Sequence, residues 1–294
     1  MTQAKSVSLV LGSGGARGHA HIGVIRALEE RRLDISNIAG SSMGALIGGI
    51  FAADKLDTYE KWATQLGTSD VRRLLDLSFN WTSVFKGERI FEVLADLVGD
   101  RKIESLDRGF TAVATSLEEQ REVWLNEGSL FRAIRASTAV PGVFSPIHLH
   151  NQILVDGGLV NPIPIAPTLT DRTDLTIAVN LSDISEHYVR PAKKRSTSKS
   201  GEDSSYQAAI KRFVSGFIDS DTDEVSSPDF RDVLTRSFDV MQGSIARLKL
   251  AAYSPDLVVE IPRDACSFFE FHRAAEMSDL GYRKTIDALD TYGL

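Results

Sequence analysis

The chain has 294 residues, enough to bury one large hydrophobic core or two modest ones, and its 43% hydrophobic and 25% charged residues are typical of a globular protein. Its net charge of −7 gives no electrostatic support for nucleic-acid binding. The single cysteine, Cys266, excludes an intrachain disulfide and a thiolate-rich metal site, and we predict neither a metal nor a cofactor.

The first third of the chain predicts a repeated strand–turn–helix pattern. The apolar segment SVSLVL (6–11) predicts a buried strand, GSGGARG (12–18) a glycine turn, and the apolar spacing over 19–32 a helix. The segments ISNIAG (35–40) and MGALIGGIFAADK (43–55) repeat the strand and the helix. This pattern indicates an α/β protein with a mainly parallel sheet and helices on its faces.

Further elements follow in chain order. They are helices at 57–67, 87–99 and 129–138, strands at 110–117, 122–128, 152–158 and 175–182, helices near 206–219 and 229–251, a strand at 256–261 and a last helix from about 267. The Ser/Lys-rich stretch 190–205 lacks periodicity and predicts a mobile polar loop, although its basic half is also compatible with anionic lipid. Because strands continue after this loop, we predict one domain over 1–294, completed by a mostly helical part over 206–294.

No targeting segment or membrane span is visible in the sequence. The apolar run near the N-terminus, VSLVL, has five residues, whereas a signal peptide needs roughly 7–15. The weakly apolar run 43–53 is far shorter than the ~20 residues that cross a bilayer. We therefore expect a cytoplasmic protein, with any membrane contact being peripheral.

The segment IAGSSMGALIGGI (38–50) contains the pattern Gly-x-Ser-x-Gly centred on Ser42. Gly40 and Gly44 leave room for a sharp strand-to-helix turn that lifts the serine hydroxyl clear of the backbone, as in a nucleophile elbow. The helix that follows directs backbone N–H groups toward an anion at the turn. The alternative is a helix that starts with small residues and has no catalytic role.

The glycine-rich segment GSGGARG has three interpretations. A dinucleotide phosphate loop needs a third glycine at position 17, where Arg17 stands, and Gly18 comes one residue late. An oxyanion hole would use the backbone N–H groups to stabilise charge on a carbonyl oxygen under attack, with Arg17 adding a positive field or fixing the loop. The third interpretation is a turn that only permits close helix packing.

A base for Ser42 is the next requirement, because a serine hydroxyl is inert at neutral pH without one. Asp156 ends a predicted strand and is followed by Gly157 and Gly158, and active sites of open parallel sheets lie at strand carboxyl ends. An Asp-Gly turn without catalytic role is the plainer interpretation. His272 fits the Ser–Asp–His order of α/β-hydrolases, but that fold places several strands before the nucleophile.

The other histidines lie in no obvious partner motif for Ser42. His19 and His21 follow the glycine loop and are expected to be packing or polar surface residues. His148 and His150 are expected to face solvent in a turn before the Asp156 strand, and His187 borders the polar loop.

Taken together, these motifs resemble the patatin-like phospholipase family. Gly-Gly-x-Arg-Gly, Gly-x-Ser-x-Gly and Asp-Gly-Gly occur in the order of that family, and ASTAVPGVFSP (136–146) and LVDGGLVNPIPI (154–165) look like its segments. The likeness covers roughly residues 7–182 and is strongest to the bacterial stand-alone members.

The resemblance implies a three-layer fold and a Ser-Asp dyad that hydrolyses acyl esters of lipids through an acyl-serine. It assigns Ser42 as nucleophile and Asp156 as general base, and it matches Gly14, Gly15, Arg17 and Gly18 to the oxyanion-hole loop. A lipid is the expected partner, while oligomeric state is left open. The rival functions are a nucleotide-binding protein that uses the glycine loop and a non-catalytic regulatory scaffold with the same fold.

Aromatic clusters give weak independent support for a lipid substrate. The segment 78–91 contains Phe79, Trp81, Phe85 and Phe91, and the segments 213–218 and 266–272 add further aromatic residues. Such clusters suit an acyl-chain channel or an interfacial lip. Ordinary core packing explains them equally well.

Overall fold

A computed structural model describes residues 4–75, 88–149, 151–185, 187–190 and 230–294. The predicted helix near 206–219, the predicted loop 190–205 apart from Arg190, and His150 lie outside these residues.

The strands form an eight-stranded sheet in the order β5-β6-β3-β2-β1-β7-β8, with β4 also paired to β3. They are β1 (Ser6–Leu11), β2 (Asp34–Ser41), β3 (Gly109–Ser116), β4 (Arg121–Leu125), β5 (Ile147–Leu149), β6 (Gln152–Asp156), β7 (Leu175–Asp183) and β8 (Leu257–Pro262). Strands β1, β2, β3, β7 and β8 pair parallel, whereas β4, β5 and β6 pair antiparallel with their neighbours. The mainly parallel sheet is confirmed.

Helices cover both faces of this sheet. The helices of the described ranges are α1 (Ala20–Glu30), α2 (Met43–Ala52), α3 (Leu56–Gln65), α4 (Thr68–Leu75), α5 (Glu88–Val98), α6 (Leu130–Ser137), α7 (Phe230–Tyr253) and α8 (Ala274–Tyr292). Leu9 and Leu11 of β1 face the large core formed with α1, α2, α6 and α8, whereas Val10 packs on the opposite face near Ala246 of α7. This alternation is expected for a strand buried on both faces, and it gives the predicted three-layer arrangement.

Several element predictions were wrong in detail. The last helix begins at Ala274 and not at about 267, because the preceding residues bind the glycine loop: the N–H of Ala16 donates to Phe268 O at 2.9 Å. The predicted strand 122–128 is the shorter β4, and Gly128 lies beyond it at φ +83°. Helix α4 and strand β5 were not predicted, and exposed His148 lies in β5 instead of a turn.

The C-terminal part joins the same sheet and core as the N-terminal part. Strand β8 pairs with β7, and α8 lies against α1 at backbone distance. The assignment of the whole chain to one domain stays a prediction. Within the described ranges, none of the helices combines the length and apolar character needed to span a membrane.

Candidate active site

Ser42 occupies the sharp turn between β2 and α2. Its backbone has φ 55° and ψ −122°, a conformation that residues with a side chain rarely adopt. Gly40 and Gly44 allow the turn because a Cβ at Gly44 would lie 2.0 Å from Leu11 O, and one at Gly40 would lie 2.5 Å from the backbone nitrogen of Ala45. The sequence therefore produces the elbow by leaving no side chains where α2 meets the ends of β1 and β2.

Asp156 ends β6 and lies directly beside Ser42. The Ser42 hydroxyl donates to Asp156 Oδ2 at 2.5 Å, although the two residues are 114 positions apart in the chain. The backbone of Asp156 is held by its N–H, which donates to Ala139 O at 3.0 Å, and by its carbonyl, which accepts from Thr115 Oγ1 at 2.9 Å. The register of β6 against β3 thus fixes where the carboxylate stands.

The environment of Asp156 changes its acidity. The residue has no exposed surface, and burial raises its pKa from an ordinary value of 3.8 to about 7. The hydroxyl of Ser42 and the N–H of Gly158, which donates to Oδ1 at 2.7 Å, oppose this rise because they stabilise the ionised carboxylate. A buried carboxylate with such a pKa is a competent base near neutral pH.

Ser137 also supports the turn, and the sequence did not predict its role. Its hydroxyl accepts the N–H of Ser42 at 3.0 Å and donates to Val113 O at 2.6 Å. It thereby links the elbow to β3 and to the end of α6. The segment ASTAVP that contains it resembles the family pattern, and this resemblance is the available sequence signal.

The glycine loop begins where β1 ends and runs into a short 3-10 turn, Gly15–His19. Gly15 has φ +56°, and a Cβ there would lie 2.7 Å from Phe268 O. A Cβ at Gly18 would lie 2.3 Å from the Cβ of Met43, the residue after Ser42. The loop therefore packs tightly against the start of α2.

Two backbone N–H groups of this loop have no acceptor. Neighbouring N–H groups are bonded, since Gly12 donates to Val179 O and Ser13 donates to Pro162 O. Among the residues that the structure describes, nothing accepts from the N–H of Gly14 or of Gly15. Unpaired backbone N–H groups of this kind can bind an anion.

Arg17 fixes the loop to the C-terminal part of the chain. Its buried guanidinium donates to Arg263 O at 3.2 Å and to Cys266 O at 3.1 Å, and it forms a 2.9 Å ion pair with Asp239 of α7. Of the two roles considered for Arg17, these contacts favour fixing the loop. The ion pair also neutralises the guanidinium charge locally.

Helix α7 also contributes Gln242, whose side-chain amide lies near Asp156. A Cβ at Gly158 would lie 2.3 Å from Gln242 Nε2, 2.4 Å from Ser13 Oγ and 2.9 Å from Asp156 Oδ1, so that these atoms surround one point. Gln242 is 1% exposed, and neither its amide nitrogen nor its amide oxygen bonds to another described residue. Gly157 is equally confined, because its Cβ would lie 1.9 Å from Val113 O. No sequence signal indicated Gln242.

The residue that follows Ser42 contributes to the lining of an apolar pocket. Its volume is about 560 Å³ including its open mouth, and its lining includes Met43, next to Ser42, and Thr138, next to Ser137. The remaining lining is apolar or aromatic and comprises Leu46, Tyr59, Trp62, Leu66, Val71, Leu74, Ile90, Phe91, Leu94, Phe144, Phe271 and the ring of His19. Phe91 and Phe271 belong to the aromatic segments identified in the sequence, while Phe79, Trp81 and Phe85 lie outside the described residues.

No described histidine is hydrogen-bonded to Ser42 or Asp156. His19 and His21 are buried instead of lying on a polar surface, and His187 pairs with Asp264 at 3.0 Å. His272 lies in the 3-10 turn Phe271–Arg273. The part of the chain that the structure describes also contains no group of three or more His, Cys, Asp or Glu residues placed to hold a metal ion.

Comparison with known proteins identifies the family. Residues 9–169, more than half of the chain, match the family model described as patatin-like phospholipase, and this stretch contains Ser42, Asp156 and the glycine loop. The chain belongs to the patatin-like phospholipase family. This membership makes it an enzyme of the lipid-hydrolase class.

Relatives within the patatin-like phospholipase family differ in length. An uncharacterized NTE family protein of Mycobacterium tuberculosis is 38% identical over 97% of this chain and 92% of its own length. Lysophospholipase nte1 of Emericella nidulans is 34% identical over 62% of this chain, which corresponds to 12% of that protein. The rat patatin-like phospholipase domain-containing protein 7 is 31% identical over 62% of this chain and 14% of its own length.

Proposed function

We propose that this patatin-like phospholipase hydrolyses acyl esters of lipids with Ser42 as the nucleophile and Asp156 as the general base. The observation that carries this proposal is the 2.5 Å hydrogen bond from Ser42 Oγ to Asp156 Oδ2. It joins a serine in a strained elbow to a buried carboxylate whose pKa burial raises to about 7. Perturbed acidity and unusual backbone geometry both concentrate at catalytic sites.

In the first half-reaction, the ionised Asp156 accepts the hydroxyl proton while Ser42 Oγ attacks the ester carbonyl carbon. The tetrahedral intermediate collapses, the bond to the alcohol oxygen breaks, and that oxygen takes the proton from Asp156. An acyl-serine and a free alcohol result. In the second half-reaction, Asp156 accepts a proton from water, the resulting hydroxide attacks the acyl carbon, and the proton returns to Ser42 as the fatty acid leaves.

The glycine loop supplies the proposed oxyanion hole. The unpaired N–H groups of Gly14 and Gly15 would donate to the carbonyl oxygen as negative charge accumulates on it, and one such donor contributes on the order of 10²–10³ in rate. Gly18 contributes by allowing close approach to Met43, and Arg17 by fixing the loop. On this assignment, the rate of hydrolysis depends on the loop N–H groups as well as on Asp156.

The apolar pocket would hold the acyl chain of the substrate. It begins at the residue after Ser42 and is lined almost entirely by carbon, which suits a hydrocarbon chain. The similarity to a lysophospholipase supports a phospholipid or lysophospholipid as the ester. Because such esters reside in membranes or micelles, the proposal includes transient contact with a lipid surface, and a cytoplasmic location stays a prediction.

Active-site labelling tests the nucleophile. An alkyl fluorophosphonate should label the purified protein stoichiometrically at Ser42, and both labelling and esterase activity should disappear in Ser42→Ala. Asp156→Asn should retain the fold and lose hydrolysis. Absence of labelling in the wild-type protein, together with nucleotide binding that Ser42→Ala leaves unchanged, would instead support the nucleotide-binding alternative, and absence of both would support the scaffold.

A further inference from the structure

Two buried histidines flank the glycine loop and form hydrogen bonds to neither Ser42 nor Asp156. His19 is 1% exposed and His21 is fully buried. Burial lowers the pKa of both to about 4, so both imidazoles are neutral at pH 7. A neutral imidazole carries one N–H and one lone pair, and its hydrogen-bond partners decide which nitrogen holds the proton.

The partners assign opposite tautomers to the two rings. His21 Nε2 lies 2.8 Å from the carbonyl oxygen of Gly12, and since a carbonyl only accepts, the proton is on Nε2. His19 Nδ1 lies 3.1 Å from the carbonyl oxygen of Ala16, so here the proton is on Nδ1. His19 Nε2 then accepts the hydroxyl of Tyr59 at 3.1 Å. Each histidine therefore donates to one carbonyl group of the loop.

On the N-terminal side, the peptide plane between Gly12 and Ser13 is held at both of its polar atoms. His21 donates to its oxygen, and its N–H, which belongs to Ser13, donates to Pro162 O at 2.7 Å. Because a peptide unit is planar, these two bonds fix its orientation.

On the C-terminal side, two successive peptide planes are held. The N–H of Ala16 donates to Phe268 O at 2.9 Å, which fixes the plane between Gly15 and Ala16. His19 then holds the oxygen of the plane between Ala16 and Arg17.

The peptide planes between these fixed ends carry the N–H groups of Gly14 and Gly15. Glycine has wide backbone freedom, so these two planes keep one orientation only if their neighbours are fixed. We propose that His21 and His19 are positioning residues that orient the two unpaired N–H groups toward the developing oxyanion. This inference rests on the proposed function, because it assigns the loop to the transition state of ester hydrolysis.

His21 offers the sharper test, since His19 also lines the apolar pocket. His21→Gln keeps a donor near the position of Nε2, whereas His21→Leu has a similar volume and no donor. Each variant leaves one buried polar atom unpaired, the side-chain oxygen of Gln or the carbonyl of Gly12, so we expect similar Tm values for the two. A role in packing alone would therefore affect them equally.

The readouts are kcat and KM for a p-nitrophenyl ester, the rate of Ser42 labelling by an alkyl fluorophosphonate, and Tm. We expect His21→Leu to lower kcat about tenfold or more, part of the 10²–10³ that a lost oxyanion donor costs, with KM little changed and labelling slowed. His21→Gln should regain most of this loss. At the second position, His19→Asn should likewise retain more kcat than His19→Leu.

Two results would overturn the inference. One is equal activity of His21→Leu and the wild-type protein, and the other is an equal loss in His21→Leu and His21→Gln that follows their Tm. In both cases complete labelling of Ser42 in the wild-type protein, absent from Ser42→Ala, would leave the proposed function standing. Failure of that labelling would remove the proposed function and this inference together.

Discussion

The contact between α1 and α8 and the junction around Ser42 are both buried and glycine-rich, yet they use burial differently. In the helix contact, Gly23 and Gly281 let the backbones touch: a Cβ at Gly23 would lie 1.8 Å from Ser278 O, and one at Gly281 would lie 2.0 Å from Ala20 O. Around these glycines lie apolar residues of the main core. This contact contributes close packing of the two helix backbones and of the apolar side chains around them.

The junction around Ser42 holds groups that oppose folding. Ser42 has a positive φ, and Asp156 is a fully buried acid whose ordinary pKa would leave it ionised. A non-glycine residue in such a conformation costs on the order of 1–3 kcal/mol. The helix contact therefore stabilises the fold, whereas the junction keeps strain at the proposed catalytic residues. Substitutions at the two regions should therefore separate stability from activity.

The largest expected effect is at Ser42, where two substitutions share the loss of Oγ and differ in strain. We expect Ser42→Ala and Ser42→Gly each to lower kcat by a factor on the order of 10⁴ or more, measured with a p-nitrophenyl ester. Only glycine relieves the strain of the positive φ. The free energy of unfolding, measured with urea, should therefore be higher for Ser42→Gly than for Ser42→Ala by about 1 kcal/mol or more. Equal stability of the two variants would show that the elbow stores no strain.

Asp156→Asn should remove activity and add stability. Because the pKa of Asp156 is about 7 in the folded protein and 3.8 ordinarily, folding takes up a proton between these values. Wild-type stability should therefore fall as pH rises from about 4 to 7 and level off above that. At pH 8 the free energy of unfolding of Asp156→Asn should exceed that of the wild-type protein by a few kcal/mol. This difference corresponds to on the order of 1.4 kcal/mol for each unit by which the pKa of Asp156 is raised.

Urea unfolding across this pH range measures the difference between the two proteins. Glu260 has a pKa raised to about 7 by burial and contributes to both curves, so the difference between the curves isolates Asp156. A difference that does not change with pH would contradict the raised pKa.

The same acidity predicts the pH dependence of catalysis. Asp156 must be ionised to accept a proton, so kcat/KM should rise with pH and reach a plateau above about 7. Two units below the pKa it should be about a hundredfold lower. Glu260→Gln is the matched control, because among the described residues it removes a second acid whose pKa burial raises to about 7. The Glu260 carboxylate accepts from Asn180 at 2.7 Å and is not bonded to Ser42. The control should keep the wild-type profile.

Gly23→Ala tests the helix contact. The added methyl group must push α1 and α8 apart, and overpacking of this kind costs typically about 1–3 kcal/mol. The kcat per folded molecule, determined by titrating Ser42 with the fluorophosphonate, should stay close to wild type. Asp287→Ala on the exposed side of α8 is the control and should change neither quantity. A specific loss of kcat in Gly23→Ala would mean that the two regions are coupled.

The smallest expected effect concerns the apolar pocket, whose lining includes Met43, the residue after Ser42. Leu94→Phe should fill part of the pocket and lower the preference for long over short acyl esters about tenfold, the scale of one or two methylene groups in a binding site. Leu97→Phe makes the same change on the same helix, against the core and away from the pocket lining. Equal chain-length profiles for both variants would argue against an acyl-chain role.

Much of the fold follows from local pattern. The short apolar run of β1 and the apolar spacing of α1 are properties of neighbouring residues, so their type and order were predictable. Helix α4 was missed because only Leu66 and Gly67 separate it from α3, and the last helix was placed too early because Phe268 is held by the glycine loop. Elements whose ends depend on distant partners could not be placed from nearby residues.

For the site, the sequence by itself determined the elbow at Ser42, the glycine loop and the Asp-Gly-Gly turn, because each depends on the absence of side chains at fixed spacing. The resemblance implied the pairing of Ser42 with Asp156, and the tertiary structure brings the two side chains into contact. Only the tertiary structure decided that Ser137 holds the elbow and that Arg17 binds Asp239. It also decided the acidity of Asp156 and of the two histidines, since a pKa depends on burial and burial depends on the whole fold.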